Sequence, residues 1–519
     1  MGIQNKQVDV FDYMIFEKLV PKDHLLVQID RFVNFSFVYD IVEPFYSDLG
    51  RPSHDPEMIF KMQLLEYLYN ISDVAVCKRT QTDIAFRWFL GLSIDDKVPD
   101  DTALSDFRCH RFSSDVFNDF FNKIVEQCIE AKLIKSKRFM VDSTNVDANV
   151  NYPSRKKLID KAFMSLLTEL SLINRSISDV CANKYNSAIK KLYLNKEKVR
   201  SKEHAIITLE ILDYLYLKTF DILEYNKDYF RKYELCYELV FDLAIKGKSP
   251  IISIVDPDAR VAHKTRGNLK RGYKDHIIVD EDSEIILASK TTPFNVTDQT
   301  EFISLIENVE SEFHISPDEI SADTIYGTIE NRSYLLDHNI ISSIRFYSQK
   351  NDEKKIYGVN DFKFSNSLDG ITCKNNVTST KYEDKEDKKG NVFRVFKFDR
   401  TACDNCIQRE KCLQRNKKGR IYNRFKTIKV SIRYDAVVND QKRNAQKSFV
   451  TAQNKRYKVE RRFATLVRNH GLRRSRFLRL EQTTKHVTMS NLACNVVRMI
   501  NIIRNQELAA LQNKTEREK

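Results

Sequence analysis

The sequence predicts a mixed α/β fold in which an all-helical N-terminal domain precedes a core of strands and helices, interrupted by two insertions. Three observations predict it. Helical spacing with short breaks runs from about Asp23 to Lys132. The short apolar run Arg138-Phe139-Met140-Val141 then ends in a carboxylate, Asp142, as a buried strand emerging at a sheet edge would. Strand-like and helix-like segments alternate again after residue 250.

In the N-terminal domain, Gly50-Arg51-Pro52-Ser53-His54-Asp55-Pro56 reads as a loop, with Pro56 suited to a first helical turn. Gly91 suits a helix C-terminus, and Asp100, Asp101 and Thr102 suit the start of the next helix. Ser154 to Lys246 holds neither Gly nor Pro and is rich in Leu, Ile, Lys and Glu, which predicts a helical insertion. Ile251 to Val255 is expected as a strand, and His276–Val279 and Glu284–Ala288 as a hairpin around Asp280 to Ser283. A helix over Asp298 to Phe313, a strand over Glu319 to Asp323, a helix over Ile329 to His338 and a strand over Ile340 to Arg345 come next. Gln349 to Asn391 is polar and expected to be loop-rich, and helices return near Asp440. The expected division is 1–135, helical N-terminal domain; 136–153, first part of the core; 154–248, helical insertion; and 249–347, second part of the core. It continues with 348–435, a polar insertion with a Cys cluster; 436–510, C-terminal helices completing the core; and 511–519, a tail fraying from about Asn513.

The 519 residues carry 85 Lys and Arg against 72 Asp and Glu, a net charge of +13 that suggests a polyanionic partner. The excess is concentrated: Lys455 to Arg479 holds ten Lys or Arg and one acid, Glu460. Neither a secretory signal nor about 18 uninterrupted apolar residues is found, so a soluble, cytoplasmic chain without membrane contact is expected. Cys77, Cys109, Cys128, Cys181, Cys236 and Cys494 stand singly, as reduced thiols do.

Phosphodiester chemistry needs charge on the attacking and leaving oxygens controlled, which a few carboxylates holding divalent ions achieve. Lone acids at strand ends or within basic helices are the pattern to seek. Asp142 and Asp323 fit the first description and Glu460 the second, although each also has a commoner role as a cap or a surface ion pair. Asp147, Asp256 and Asp258 are rival acids, the last two flanking Pro257 in a turn. Lys264, Arg266, Lys270, Arg271 and Lys274 form a basic loop suited to phosphate. Cys403-Asp404-Asn405-Cys406, then Cys412, with Cys373 as a fourth thiol, have spacing that suits zinc; a loosely packed thiol cluster is the alternative.

In order, Val141-Asp142-Ser143-Thr144, Ala322-Asp323-Thr324-Ile325-Tyr326-Gly327 and Arg456-Tyr457-Lys458-Val459-Glu460-Arg461-Arg462-Phe463 resemble the DDE transposases of bacterial insertion sequences. Asp256-Pro257-Asp258-Ala259-Arg260, Gly272-Tyr273-Lys274-Asp275-His276 and Thr292-Pro293-Phe294-Asn295-Val296-Thr297-Asp298 are similar to the segment between the family's first two acids. Gly50-Arg51-Pro52 to Leu64 and Arg87-Trp88-Phe89-Leu90-Gly91-Leu92 are similar to the helical N-terminal domain of one branch, which also carries a Cys-containing insertion. The resemblance runs from about residue 20 to 505. It implies an RNase H-like core, with Asp142, Asp323 and Glu460 binding Mg²⁺ (or Mn²⁺) for cleavage at element ends and 3′-OH strand transfer. It also implies double-stranded DNA as partner, a homodimer in the active complex and association with the bacterial nucleoid. Arg456 matches the basic position of the helix signature. Gln453 stands where many members have Tyr and Val467 where they have Lys, so Arg461, Arg462 or Arg468 would take over phosphate contacts. An RNase H-like nuclease without strand transfer, and a DNA-binding protein with a decayed site, remain alternatives.

Overall fold

A computed structural model of the chain describes residues 10–46, 53–194, 199–265, 268–346, 356–365, 367–387, 390–413 and 424–517. Gly50, Arg51, Pro52 and Arg266 lie outside the described residues, as does the side chain of Lys264. The chain forms two compact units: Met1–Ser136 with Asp142–Ile315 and Lys458–Lys519, and Lys137–Val141 with Ser316–Tyr457.

The first unit opens with helices α1 (Val10–Leu19) to α8 (Ser114–Glu130). Their boundaries reflect local chemistry: Asp55 accepts from the Glu57 amide ahead of Pro56, Asp100 from the Ala103 amide, and Gly91 ends a helix at φ 68°. Phe35, Phe37, Phe60 and Phe120 pack edge-on or tilted in the core of this domain.

Strand β1 (Arg138–Asp147) crosses from the second unit to the first between Val141 and Asp142. It is longer than expected, so Asp142 lies within it and not at its end. The extension has a partner: the Asp147 amide donates to Arg473 O (2.9 Å) and Ser475 N donates to Asp147 O (2.9 Å).

The helical insertion consists of α9 (Arg155–Ile173), α10 (Arg175–Leu194), α11 (Ser201–Tyr225) and α12 (Lys227–Ile245). It has its own core of Leu158, Phe163, Leu166, Leu212 and Leu239, among others. The strand expected at Ile251–Val255 is absent. Ser253 Oγ instead accepts from the amides of Val255 and Asp256 and turns the chain. The hairpin comes after it: β2 (Arg260–Thr265), β3 (Asn268–Asp280) and β4 (Ile286–Pro293) are antiparallel, with β3 central. Gly272 (φ 128°) lets β3 approach β1, since a Cβ there would strike Val146 O. Helix α13 (Phe302–Phe313) packs on this hairpin.

In the second unit the first residues of β1 pair parallel with β5 (Glu319–Ala322), from Arg138↔Glu319 to Val141↔Ala322, and β5 pairs parallel with β6 (Ile341–Ile344). Helix α14 (Ile329–Asp337) makes the crossover, as parallel strands require. The polar segment holds more strand than expected. β7 (Lys363–Phe364), β8 (Ile371–Thr372) and β9 (Thr378–Ser379) form one small sheet; β10 (Tyr382–Glu386), β11 (Val392–Lys397) and β12 (Thr427–Ser431) form another. Phe362, Ile371, Phe396, Phe398, Ile428 and Val430 bury a compact core there. The pattern misleads because β10 is exposed throughout and is tied by ion pairs, Asp384–Arg394 (2.8 Å) and Glu383–Lys397 (2.9 Å). Helices α15 (Arg400–Asp404), α16 (Arg409–Cys412), α17 (Tyr434–Asn444) and α18 (Lys447–Asn454) complete this unit.

Helix α19 (Tyr457–Asn469) returns the chain to the first unit, and α20 (Leu480–Arg517) closes it. The tail expected to fray from Asn513 is helical to Arg517. Helix α20 packs on the N-terminal helices, where Lys485 Nζ donates to Arg108 O (2.9 Å) and Phe112 O (2.7 Å). No helix among the described residues is long and apolar enough to cross a membrane.

Candidate functional site

Asp142 lies where pairing of β1 with β5 stops, one residue past the Val141↔Ala322 pair. It is half-buried, and its carboxylate accepts from the Ser143 amide (2.8 Å).

Glu460 is an exposed residue of α19, and the helix bearing it is gripped by the β3–β4 turn. Glu284, at φ 60° in that turn, has a side chain only 2% exposed. Arg461 and Arg462, the two residues after Glu460, both ion-pair with it, Arg462 Nε at 3.1 Å. Arg498 of α20 adds a third guanidinium at 3.6 Å, while Lys458 Nζ donates to Glu281 O (2.7 Å). Buried charges persist only when paired, and here one carboxylate meets three cations.

Asp323 comes directly after β5 and caps the short turn Thr324–Tyr326, accepting from the Thr324 amide (2.6 Å). Its side chain is 58% exposed and stands 3.7 Å from Arg456 Nη1. Gln453 of α18 is buried behind it, and its amide donates to Ala322 O (3.4 Å) and to Ser343 O. The Gln453 side chain therefore ties α18 to the ends of β5 and β6.

Asp142 and Glu460 belong to the first unit and Asp323 to the second. Among the described residues, no group of three or more His, Cys, Asp or Glu is arranged to hold a metal ion. The donor chemistry of the three acids nevertheless suits a hard cation, since all are carboxylates and none is fully buried. The rival acids have structural tasks. Asp256, fully buried, accepts from Tyr273 Oη and the Arg479 amide (3.0 Å); Asp258 accepts from the Leu480 amide (3.0 Å). Together they cap α20, where negative charge is favoured. Asp147 ties β1 to the segment between α19 and α20 through its backbone.

The basic candidates divide. Lys274 is committed inward, to Asp298 (2.5 Å) and Val296 O (2.8 Å), and Arg462 is buried on Glu284. Arg271 is exposed and stacks on Tyr152 (4.6 Å), Lys270 is half-buried, and Arg461 keeps half its side chain exposed. Arg473 and Arg474, not singled out from the sequence, are exposed beside the end of β1. The signal available was the Arg-Arg-Ser-Arg run just past Gly471.

Cys373, Cys403, Cys406 and Cys412 line one apolar cavity of about 30 Å³ with Phe362, Phe398 and Lys426. The fold thus brings Cys373 to thiols far along the chain, although not at metal-bonding separations among the described residues.

Residues 14–110 match the family described as a transposase domain (DUF772), and residues 247–496 match the transposase DDE domain. Asp323 and Glu460 fall inside the second match, and Asp142 precedes it, ahead of the helical insertion. These families comprise DNA transposases, which implies that the chain binds DNA, and the DDE domain implies an RNase H-like core for the mixed fold seen here. The chain belongs to the DDE transposases of insertion sequences.

Proposed function

We propose that this transposase cleaves DNA at the ends of an insertion sequence and joins the freed 3′-OH to target DNA, with Asp142, Asp323 and Glu460 holding Mg²⁺ or Mn²⁺. The observation that carries the reading is Glu460: the sole acid of a strongly basic segment, exposed on a helix whose neighbouring arginines are anchored elsewhere. Bound divalent cations would stabilise charge on the attacking and leaving oxygens. The chain's own part is to hold the duplex. Exposed Arg271, Arg473 and Arg474, with Lys270, are suited to backbone phosphates, and such contacts weaken steeply with salt. Arg456 beside Asp323 would contact the terminal phosphate, and the N-terminal helices would bind the element's end in a homodimeric complex.

The test is cleavage and joining of a labelled terminal-repeat duplex. Asp142→Asn, Asp323→Asn and Glu460→Gln are each expected to abolish cleavage while DNA binding persists. Retained cleavage in one variant would remove that residue from the site. A pre-cut end that is never joined would turn the reading toward a nuclease that only hydrolyses.

The four cysteines are proposed to hold a structural zinc, supported by their convergence on one apolar cavity. Metal analysis of the purified chain should give about one zinc, and Cys403→Ser should lower both zinc and thermal stability. A zinc-free, fully stable wild-type chain would sink that assignment.

A further inference from the structure

The convergence of Arg461, Arg462 and Arg498 on one buried carboxylate bears on Glu460, provided that Glu460 is the metal-holding acid proposed for this transposase. Arg461 and Arg462 come next after Glu460 in α19, so in a helix of about 3.6 residues per turn they point roughly 100° and 200° around the axis from it. A single side chain that holds both therefore fixes how far α19 is rotated, and with it the direction in which Glu460 leaves the helix. Glu284 is placed to do this firmly. Its backbone occupies the left-handed region in the β3–β4 turn, its carboxylate is buried, and Arg498 Nε also donates to the adjacent Ser283 O (2.6 Å). The neighbouring Lys458–Glu281 contact and the buried Val459 hold the same face of the helix.

We infer that Glu284 is a positioning residue, which sets the orientation of Glu460 for the reaction by clamping Arg461 and Arg462 to the β3–β4 turn. It touches neither DNA nor metal. Without its charge, Arg462 of α19 and Arg498 of α20 lose the buried carboxylate they share, and α19 is no longer held at one rotation about its axis. Displacement of a reacting group by about 1 Å can cost on the order of 10²-fold in rate.

The experiment compares wild type, Glu284→Gln and Glu460→Gln in single-turnover cleavage at saturating DNA, with DNA affinity, Mg²⁺ dependence and thermal unfolding measured on each. Glu284→Gln keeps the size and hydrogen-bonding shape of the side chain. It is expected to lower the cleavage rate by about 10²-fold and to raise the Mg²⁺ concentration needed for half-maximal rate, with DNA affinity within about threefold of wild type. Arg462→Gln opens the same contact from the helix side and should show the same split; it decides the matter if Glu284→Gln does not fold. A folded Glu284→Gln or Arg462→Gln chain that cleaves at the wild-type rate, while Glu460→Gln is inactive, overturns the positioning role and leaves Glu460 in place. Cleavage by Glu460→Gln instead overturns the reading of Glu460 and the inference with it.

Discussion

Glu460 and Asp323 are both exposed acids, Glu460 within helix α19 and Asp323 directly after strand β5, yet they are mounted in different ways. The helix carrying Glu460 is held by a carboxylate 2% exposed that faces three arginines, whereas Asp323 itself is 58% exposed and has Arg456 3.7 Å away. Behind Asp323 the support is neutral, the Gln453 amide on two strand-end carbonyls. Buried charge gives a mount that is strong while complete and costly when broken. An exposed acid is screened by water and free to exchange its partner, as a metal ligand must.

The largest expected contrast separates chemistry from stability. Asp323→Asn should lower cleavage by on the order of 10³-fold or more. The thermal midpoint should move little, because the exposed carboxylate contributes little to folding. A large loss of stability there would break the comparison.

The hairpin that bears Glu284 should respond to pH. Asp275 on β3 is fully buried, and burial pushes its carboxyl up to about 7 despite hydrogen bonds from Asn491 and Ser289. Its folded pKa is raised above the unfolded value of about 3.9, so the folded chain holds this proton more tightly. The group is neutral in both states below about pH 4; as pH rises from there to about 7 it costs stability, up to about 4 kcal/mol. Asp275→Asn should therefore raise stability at pH 7.5 by about 2–4 kcal/mol and hardly at all at pH 4, measured by denaturant unfolding across pH. An equal gain at both pH values would show that ionisation is not the cause.

The smallest effect should come from Arg456→Ala. Asp323 is 58% exposed and 3.7 Å from Arg456, so loss of that ion pair should change stability by less than about 1 kcal/mol. If Arg456 also meets a phosphate, the slope of log affinity against log salt should shrink by about one. An unchanged slope would mean that Arg456 meets no phosphate.

Much of the fold was legible because periodicity is local. The helical insertion, the β3–β4 hairpin and the β5–α14–β6 unit lie close to where residue pattern put them. Two readings failed for lack of local signal. Ile251–Val255 is apolar enough for a strand, but Ser253 turns the chain; β10 is polar on both faces and is strand only through its pairing with β11. The basic candidates divide for a similar reason. A run of Arg and Lys does not say which cations meet an internal carboxylate, and Lys274 and Arg462 do.

What the sequence determined by itself is the kind of protein and the order of its parts: helical front, three lone acids in succession, a Gly- and Pro-free insertion and a basic segment around Glu460. Those features are written in residue type and spacing, which propensity and charge read directly. Tertiary structure alone decided that Asp256 and Asp258 cap α20, that Cys373 shares a cavity with three distant thiols, and that Glu284 takes both arginines beside Glu460. Each of these joins residues far apart in the chain, and nothing in local propensity or periodicity encodes which distant partner a buried polar group will meet.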